Sequence, residues 1–130
     1  MFVRDQIRNI YFSIKRMIRK IKNVLRWLPI IWRDENWDYY HIYELLKWKL
    51  KFMSNAIREN GNHVSAKYDA DRMMLAVRLI EKVQNEDYLT EMINDDDLTR
   101  EKIIAAERKH NKAKRILFKL LNQNIERWWD

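Results

Sequence analysis

Apolar residues recur at every third or fourth position along most of the chain, which is the spacing of an α-helix with one buried face. In residues 2–28 the steps alternate strictly between four and three, the seven-residue repeat of a coiled coil. This repeat consists of Val3, Ile7, Ile10, Ile14, Met17, Ile21, Val24 and Leu28. Lys and Arg fill the other faces, so residues 1–28 are predicted to form a basic amphipathic helix, ended by Pro29, which lacks an N–H donor.

The apolar stripe of this first helix must be covered by another surface. We favour other helices of the same chain or of a second copy, and the alternatives are a groove on a partner protein and a membrane surface. Charged residues interrupt the segment and the longest apolar run is residues 27–32, so we expect neither a secretory signal nor a membrane span. We therefore expect a cytoplasmic protein, and a membrane is not expected among its partners.

Three further segments show helical periodicity, at residues 37–60, 65–93 and 98–128. The polar run of residues 84–87 indicates a kink or an early end in the second of them. Gly61 follows the first of them, where a left-handed cap favours glycine. The three apolar stripes are Tyr39, Tyr43, Leu46, Leu50, Met53 and Ile57; Ala66, Ala70, Met73, Val77 and Ile80; and Ile103, Ala106, His110, Ala113, Leu117, Leu120 and Asn124.

Four long helices with short connections predict an all-α fold, either an antiparallel bundle or a helical-hairpin assembly. We expect one helical domain over residues 1–130, with residues 34–130 as its helical core. Helices of roughly 25–30 residues are about 40 Å long, which is long for one compact domain of this size, so we expect a homo-oligomer. A polar residue at a core position can fix the register of such an assembly. The expected oligomer seam is Ile7, Ile14, Ile21, His110 and Asn124.

Composition excludes several kinds of catalytic and cofactor site. The chain of 130 residues has no Cys and one Gly, which excludes thiolate sites, disulfides and Gly-rich phosphate cradles. His41 and Glu44 have the spacing of a helical ligand pair, but a di-iron bundle needs two such pairs and two more Glu. No Ser lies in a nucleophile context. The chain is therefore predicted to be non-catalytic and to hold no metal or cofactor.

The net charge of +7 is distributed unevenly along the chain. Residues 1–33 contain nine Lys or Arg and one acid, residues 34–97 eight bases and fourteen acids, and residues 98–130 nine bases and four acids. Two interpretations remain open. The basic ends bind phosphates, or they pair with the acidic middle of the same chain or of a second copy.

Basic residues form rows at helical spacing close to aromatic residues, a combination that holds phosphates and stacks bases. One row is Arg108, Lys112, Arg115 and Lys119, and the other is Lys47, Lys51 and Arg58. The alternative is that acids of the middle segment, such as Asp69, Asp71, Glu81 or Glu91, offset these rows. The candidate ligand-binding residues are Lys47, Lys51, Arg108, Lys112, Arg115, Lys119, Tyr39, Tyr40, His41 and Trp48. The pair Trp128-Trp129 predicts a docked C-terminal segment, because an exposed Trp pair favours aggregation.

Residues 32–50, with the block Trp37-Asp38-Tyr39-Tyr40, resemble a group of small proteins encoded by tailed bacteriophages. Residues 63–83 and the ending Trp128-Trp129-Asp130 are similar to the rest of that group, so the resemblance covers most of residues 20–130. It implies a phage protein in the cytoplasm of the host cell. It also favours a small non-catalytic accessory role, such as inhibition of a host defence, and it implies no particular binding residue.

These observations predict a phage accessory protein that binds an anionic ligand through basic and aromatic side chains. A nucleotide signal of a host defence suits such a site, and its sequestration would be a counter-defence. The first alternative is an inhibitor or scaffold that docks on a host defence protein through residues 1–28. The second alternative is DNA or RNA binding, which predicts an affinity that falls steeply with salt.

Overall fold

The structure, a computed structural model, describes residues 1–35, 38–61, 63–94 and 96–129, without the side chains of residues 87, 92 and 129. These residues form five α-helices and one short 3₁₀ turn, and no strand occurs among them. The elements are α1 (Phe2–Ile31), α2 (Tyr39–Asn60), α3 (Ala66–Gln84), α4 (Asp87–Ile93), α5 (Arg100–Asn124) and the 3₁₀ turn Arg127–Trp129. The predicted all-α class with four long helices is confirmed. The expected start of the second helix, Trp37, and the final Asp130 lie outside the described residues.

The chain divides into two compact units, an N-terminal unit of residues 1–38 and a C-terminal unit of residues 39–130. The N-terminal unit consists of α1 and a short turn. The prediction that Pro29 ends this helix is wrong, because α1 continues through Pro29 to Ile31. The Trp32 N–H donates to the Leu28 carbonyl at 2.9 Å, so helical bonding resumes beyond the proline. Pro29 lies in the last turn, where its ring removes only one intrahelical donor.

The apolar stripe of α1 is exposed in this structure. No residue of α1 is buried. Ile7, Ile14 and Ile21, the part of the expected oligomer seam that lies on this helix, are 63%, 55% and 51% exposed. The expectation that a partner surface covers these residues therefore remains a prediction.

In the C-terminal unit, α3 packs against both α2 and α5. The predicted stripe of α3 is confirmed, because all five of its residues are buried: Ala66, Ala70, Met73, Val77 and Ile80. Small side chains bring α2 and α3 close together, and the buried Ser54 hydroxyl donates to the Ala70 carbonyl at 3.0 Å. The central hydrophobic cluster of the described residues is Leu50, Met73, Ala76, Val77, Ile80, Leu117, Leu120, Leu121 and Trp128.

The connection between α2 and α3 begins at Gly61, just past the last residue of α2. Gly61 does not adopt the left-handed conformation that the sequence predicts, since it has no positive φ. A glycine is needed at this position because there is no room for a side chain. A Cβ atom added there would lie 2.3 Å from the Ile57 carbonyl oxygen and 3.0 Å from the Ala66 Cβ. Because both atoms belong to packed helical residues, any larger residue would displace one end of the helical hairpin.

The third predicted helix ends early, at Gln84, and a separate short helix, α4, begins at Asp87. Glu86 between them has a φ of 51°, in the left-handed region that side chains other than glycine rarely adopt. The polar run of residues 84–87 therefore marks a break in the helix. After the break, α4 packs mainly against α5.

The end of the chain is docked on the C-terminal unit. Trp128 is 4% exposed and belongs to the hydrophobic cluster, which confirms the docking predicted for this residue, whereas the Trp129 side chain lies outside the described part. The Arg127 guanidinium lies 3.8 Å from the buried Asp69 carboxylate on α3. The same carboxylate accepts a hydrogen bond from the Ser65 hydroxyl at 3.0 Å. These contacts join the 3₁₀ turn to the first turn of α3.

Within the described ranges, no helix combines the length and the apolar character needed to cross a membrane.

Candidate anion-binding groove

Two of the predicted ligand residues on α2 are part of a hydrogen-bond network around Glu44. Its carboxylate accepts from the Lys47 ammonium and, at 3.0 Å, from the Trp48 indole Nε1. Gln84, at the end of α3, donates to the same carboxylate at 2.9 Å and accepts from Lys47 Nζ at 3.2 Å. Gln84 also donates to the Tyr40 carbonyl at 3.2 Å. Lys47 therefore joins α2 to α3 through Gln84, whereas Trp48 bonds within α2, and the polar atoms of both side chains are used within the fold.

The network changes the acidity of Glu44. Burial by itself raises its pKa, but the hydrogen bonds from Lys47, Gln84 and Trp48 together with the charge of Lys47 outweigh burial and lower the pKa below its ordinary 4.5. The side chains of Glu44 and Lys47 are only 16% and 13% exposed, so water screens this pair weakly. Nearby, burial and to a smaller extent Tyr39 raise the pKa of Tyr43.

Replacing Glu44 by glutamine is expected to lower the free energy of unfolding by about 1–2 kcal/mol at neutral pH, because the variant leaves the Lys47 ammonium without its carboxylate. The loss should shrink on acidification. The carboxyl titrates near 4.5 in the unfolded chain and lower in the folded one, so the stabilisation is complete above that value and is lost as pH falls through the folded pKa.

Urea unfolding of the wild type and the Glu44→Gln variant, from about pH 7 to about pH 3, measures this difference. The other acids contribute equally to both proteins, so the difference between the two free energies of unfolding reports on Glu44 alone. A difference that stays constant over the whole range would contradict the lowered pKa of Glu44.

The other basic residues predicted on α2 are also paired with acids. Lys51 Nζ lies 3.2 Å from the Glu81 carboxylate and 4.8 Å from the centroid of the Trp48 ring, and Arg58 pairs with Asp71. The interpretation that internal acids offset the basic row therefore holds for α2. Lys51 and Arg58 join α2 to α3 through these ion pairs, and Lys47 joins the two helices through Gln84.

The aromatic residues predicted at the start of α2 form no common site with the cations of α5. Tyr39 is 62% exposed and packs edge-on against Tyr43. Tyr40 is 37% exposed, and its ring lies 6.0 Å from that of the buried His41. These side chains lie on α2, and none of them is among the described residues that line the groove around Lys112.

The basic row of α5 has a different environment from that of α2. All four of its side chains, Arg108, Lys112, Arg115 and Lys119, are exposed. Among the described residues no carboxylate forms an ion pair with any of them. Their charges are therefore available to an external anion.

One member of this row, Lys112, lines a groove between α3, α4 and α5. The groove has a volume of about 540 Å³ and is lined by Leu75, Arg78, Leu79, Lys82, Tyr88, Lys109, Lys112, Ala113 and Ile116. Its floor is apolar, with two leucines from α3 and the alanine and isoleucine from α5. Among the described lining residues one is aromatic, Tyr88 from α4. We call this site the α3–α5 groove.

The α3–α5 groove is strongly basic. Four cations line it, Arg78 and Lys82 from α3 and Lys109 and Lys112 from α5, and no acidic residue is among the lining residues whose side chains the structure describes. Within the described part of the chain none of the four forms an ion pair. Lys82 Nζ lies 5.5 Å from the centroid of the Tyr88 ring, so one cation stays beside the aromatic surface. Four like charges around an apolar floor repel one another until an anion enters.

The sequence predicts Lys112 as a ligand-binding residue but not Arg78, Lys82, Lys109 or Tyr88. A signal for the α3 side of the groove exists in the sequence. Leu75 and Leu79 are four residues apart, as are Arg78 and Lys82, so a second apolar row on α3 is bordered by a basic row. The contribution of Tyr88 depends on the break at Glu86, which turns α4 towards α5, and local spacing does not encode that direction.

The two polar residues of the expected oligomer seam on α5 lie within the chain's own fold. Asn124 is 9% exposed, donates to the Leu120 carbonyl at 2.8 Å and accepts from Arg127 at 3.0 Å. His110 is half-buried, and its Nδ1 is buried without a hydrogen-bond partner among the described residues. No cluster of three or more potential metal ligands occurs in the described ranges.

Comparisons of the chain with family models, with curated proteins and with solved structures found no match.

Proposed function

We propose that the chain is a non-catalytic binding protein whose α3–α5 groove holds a small anionic ligand with a flat or apolar part, such as a nucleotide. One observation carries this proposal: four cations line a groove with an apolar floor, and none of them has a carboxylate partner among the described residues. Phosphate oxygens would offset the cations, and the floor with Tyr88 would contact a base. A concave, mostly apolar site with a few convergent polar groups is typical of small-molecule binding.

The biological setting is proposed from the resemblance to phage proteins. A phage protein that binds a nucleotide without transforming it would lower the free concentration of a host signal, and such sequestration would act as a counter-defence in the host cytoplasm. Every cation that lines the groove and every contact that shapes it belongs to the C-terminal unit.

The test is isothermal titration calorimetry of the whole chain with two probes, ATP and cyclic di-AMP, and with inorganic phosphate for comparison. The double variant Lys109→Glu/Lys112→Glu is expected to weaken nucleotide binding by about tenfold or more, since it places two carboxylates in the groove. The matched control is Arg115→Glu/Lys119→Glu, which makes the same change in charge on the same helix outside the groove lining. It is expected to bind almost as the wild type does.

Two outcomes would overturn the proposal. If the wild type binds neither nucleotide, the groove does not have this role. If both double variants lose affinity equally, binding depends on the overall charge of α5. Titration with single- and double-stranded oligonucleotides then distinguishes DNA or RNA binding, which predicts a steep salt dependence in proportion to the phosphates contacted.

A further inference from the structure

The surface of α1 is divided into an apolar half and a basic half. At about 3.6 residues per turn, the apolar half covers roughly 160° of the helix and contains no charged residue. Its apolar residues are Val3, Ile7, Ile10, Tyr11, Ile14, Met17, Ile18, Ile21, Val24, Leu25, Leu28 and Ile31, and the uncharged polar residues Gln6 and Ser13 lie near its edge. The basic half contains Arg4, Arg8, Lys15, Arg16, Arg19, Lys20, Lys22 and Arg26, together with one acid, Asp5.

Both halves of this helix are open to solvent. No residue of α1 is buried, and Val3, Met17 and Val24 on the apolar half are 68%, 62% and 61% exposed. An apolar face of this length is far larger than the scattered exposed residues of ordinary protein surfaces. Such a face indicates a binding surface.

We propose that α1 binds the surface of an anionic lipid bilayer, with its axis in the plane of the membrane and its apolar half in the acyl region. The charge of the helix is complementary to such a surface, because the cations border the apolar half on both sides, with Lys15 and Lys22 along one edge and Lys20 along the other. Long basic side chains at these edges reach the phosphate layer while their stems stay on the apolar side.

A second copy of α1 matches this surface less well. A coiled-coil seam uses two positions of each heptad, whereas Tyr11, Ile18 and Leu25 add a third apolar position here. Packing several copies together would also collect eight cations per helix, with one acid per helix to offset them. Asp5 already pairs with Arg8 of its own helix at 3.3 Å. The heptad spacing alone favours protein packing, but the width and the charge of the face favour lipid.

The proposal is tested by co-sedimentation of the whole chain with vesicles, at low salt. One set contains phosphatidylcholine alone, and the other contains phosphatidylcholine with one quarter phosphatidylglycerol. The wild type is expected to sediment with the anionic vesicles only. The triple variant Lys15→Glu/Arg19→Glu/Lys22→Glu should bind them at least about a hundredfold more weakly, since each cation near an anionic surface contributes about fivefold.

The matched control is Arg108→Glu/Arg115→Glu/Lys119→Glu on α5, which changes the net charge equally and leaves α1 intact. This variant is expected to sediment as the wild type does. Circular dichroism of both triple variants verifies that they fold, which the exposure of all six positions favours. The experiment is independent of nucleotide binding, because none of these six residues lines the α3–α5 groove.

Three outcomes would overturn the proposal. Equal loss of binding in both triple variants would mean that overall charge attracts the protein to the vesicles. Equal sedimentation with neutral and anionic vesicles would remove the role of the basic half. Absence of vesicle binding, combined with an oligomer in sedimentation equilibrium that persists in the α1 triple variant, would assign the apolar half to a second copy of the chain.

Discussion

Replacing Trp128 by alanine is expected to lower the free energy of unfolding of the C-terminal unit by about 3–5 kcal/mol. The indole is 4% exposed and lies in the cluster that α2, α3 and α5 share, so its removal leaves a large cavity. A domain of this size has a total stability of roughly 5–15 kcal/mol, so the variant would be partly unfolded at moderate temperature.

Urea unfolding followed by circular dichroism measures this change. Tryptophan fluorescence is less suitable, because the variant removes one of the tryptophans that give the signal. The control is Trp32→Ala, whose ring is 83% exposed and whose removal should change stability by less than about 0.5 kcal/mol. A further variant, Trp128→Phe, should cost less than alanine. It keeps most of the packing and removes an indole N–H that has no hydrogen-bond partner among the described residues. If Trp128→Ala and Trp32→Ala had the same small effect, the docked position of Trp128 would be wrong.

Replacing Leu117 by alanine is expected to cost about 2–5 kcal/mol, the second large effect. Leu117 is fully buried and faces the cluster residues of α3 from the middle of α5. The neighbouring Phe118 is 51% exposed and provides the matched control. Phe118→Ala removes more atoms than Leu117→Ala, but about half of the Phe118 surface is already in water, so its cost should be about 1 kcal/mol.

The same unfolding assay compares these two variants, and the order of their effects is the decisive result. A larger loss for Phe118→Ala than for Leu117→Ala would mean that α5 presents its other face to α3. Equal losses would mean that Phe118 is covered by a surface that the single chain does not contain.

Packing within the C-terminal unit could be predicted well from the apolar periodicity. The stripe of α3 is covered by the chain's own helices, and so is that of α5 apart from the partly buried Ile103 and His110. Most residues that repeat in sequence are therefore also those that water cannot reach, such as Met73 and Leu117. On α2 the prediction is weaker, since Tyr39 is 62% exposed and Leu50 is the only fully buried member of the predicted stripe. A residue in the first turn of a helix has fewer neighbours to cover it, and this accounts for Tyr39.

The candidate site could be predicted only in part, because charge patterns do not show which cations are already paired. Lys47 and Lys112 look alike in sequence, but Lys47 contacts Glu44 and the distant Gln84, whereas Lys112 lines a groove in which none of the described lining residues is acidic. The carboxylate partner of Lys47, Glu44, lies three residues away at a spacing that a helix brings together, whereas Gln84 lies 37 residues away and no local rule identifies it. The groove also needs the helix break at Glu86, whose direction is set by packing rather than by the residues of the break itself.

The proposed site and the proposed membrane helix lie in different units of the chain. The α3–α5 groove belongs wholly to residues 39–130 and α1 wholly to residues 1–38. Variants in one unit are therefore expected to leave the binding of the other unit unchanged. The calorimetric and vesicle experiments test the two proposals separately.

The packing of neighbouring helices has a consequence for how quickly the chain folds. Helix α2 packs on α3, the next helix along the chain, and α4 packs on α5, which follows it. Forming these pairs closes only short loops, so little chain entropy is lost before the first contacts form. Helical proteins with such local contacts fold within about microseconds to milliseconds. The C-terminal unit should therefore pass rapidly through the partly folded states in which exposed apolar faces promote aggregation.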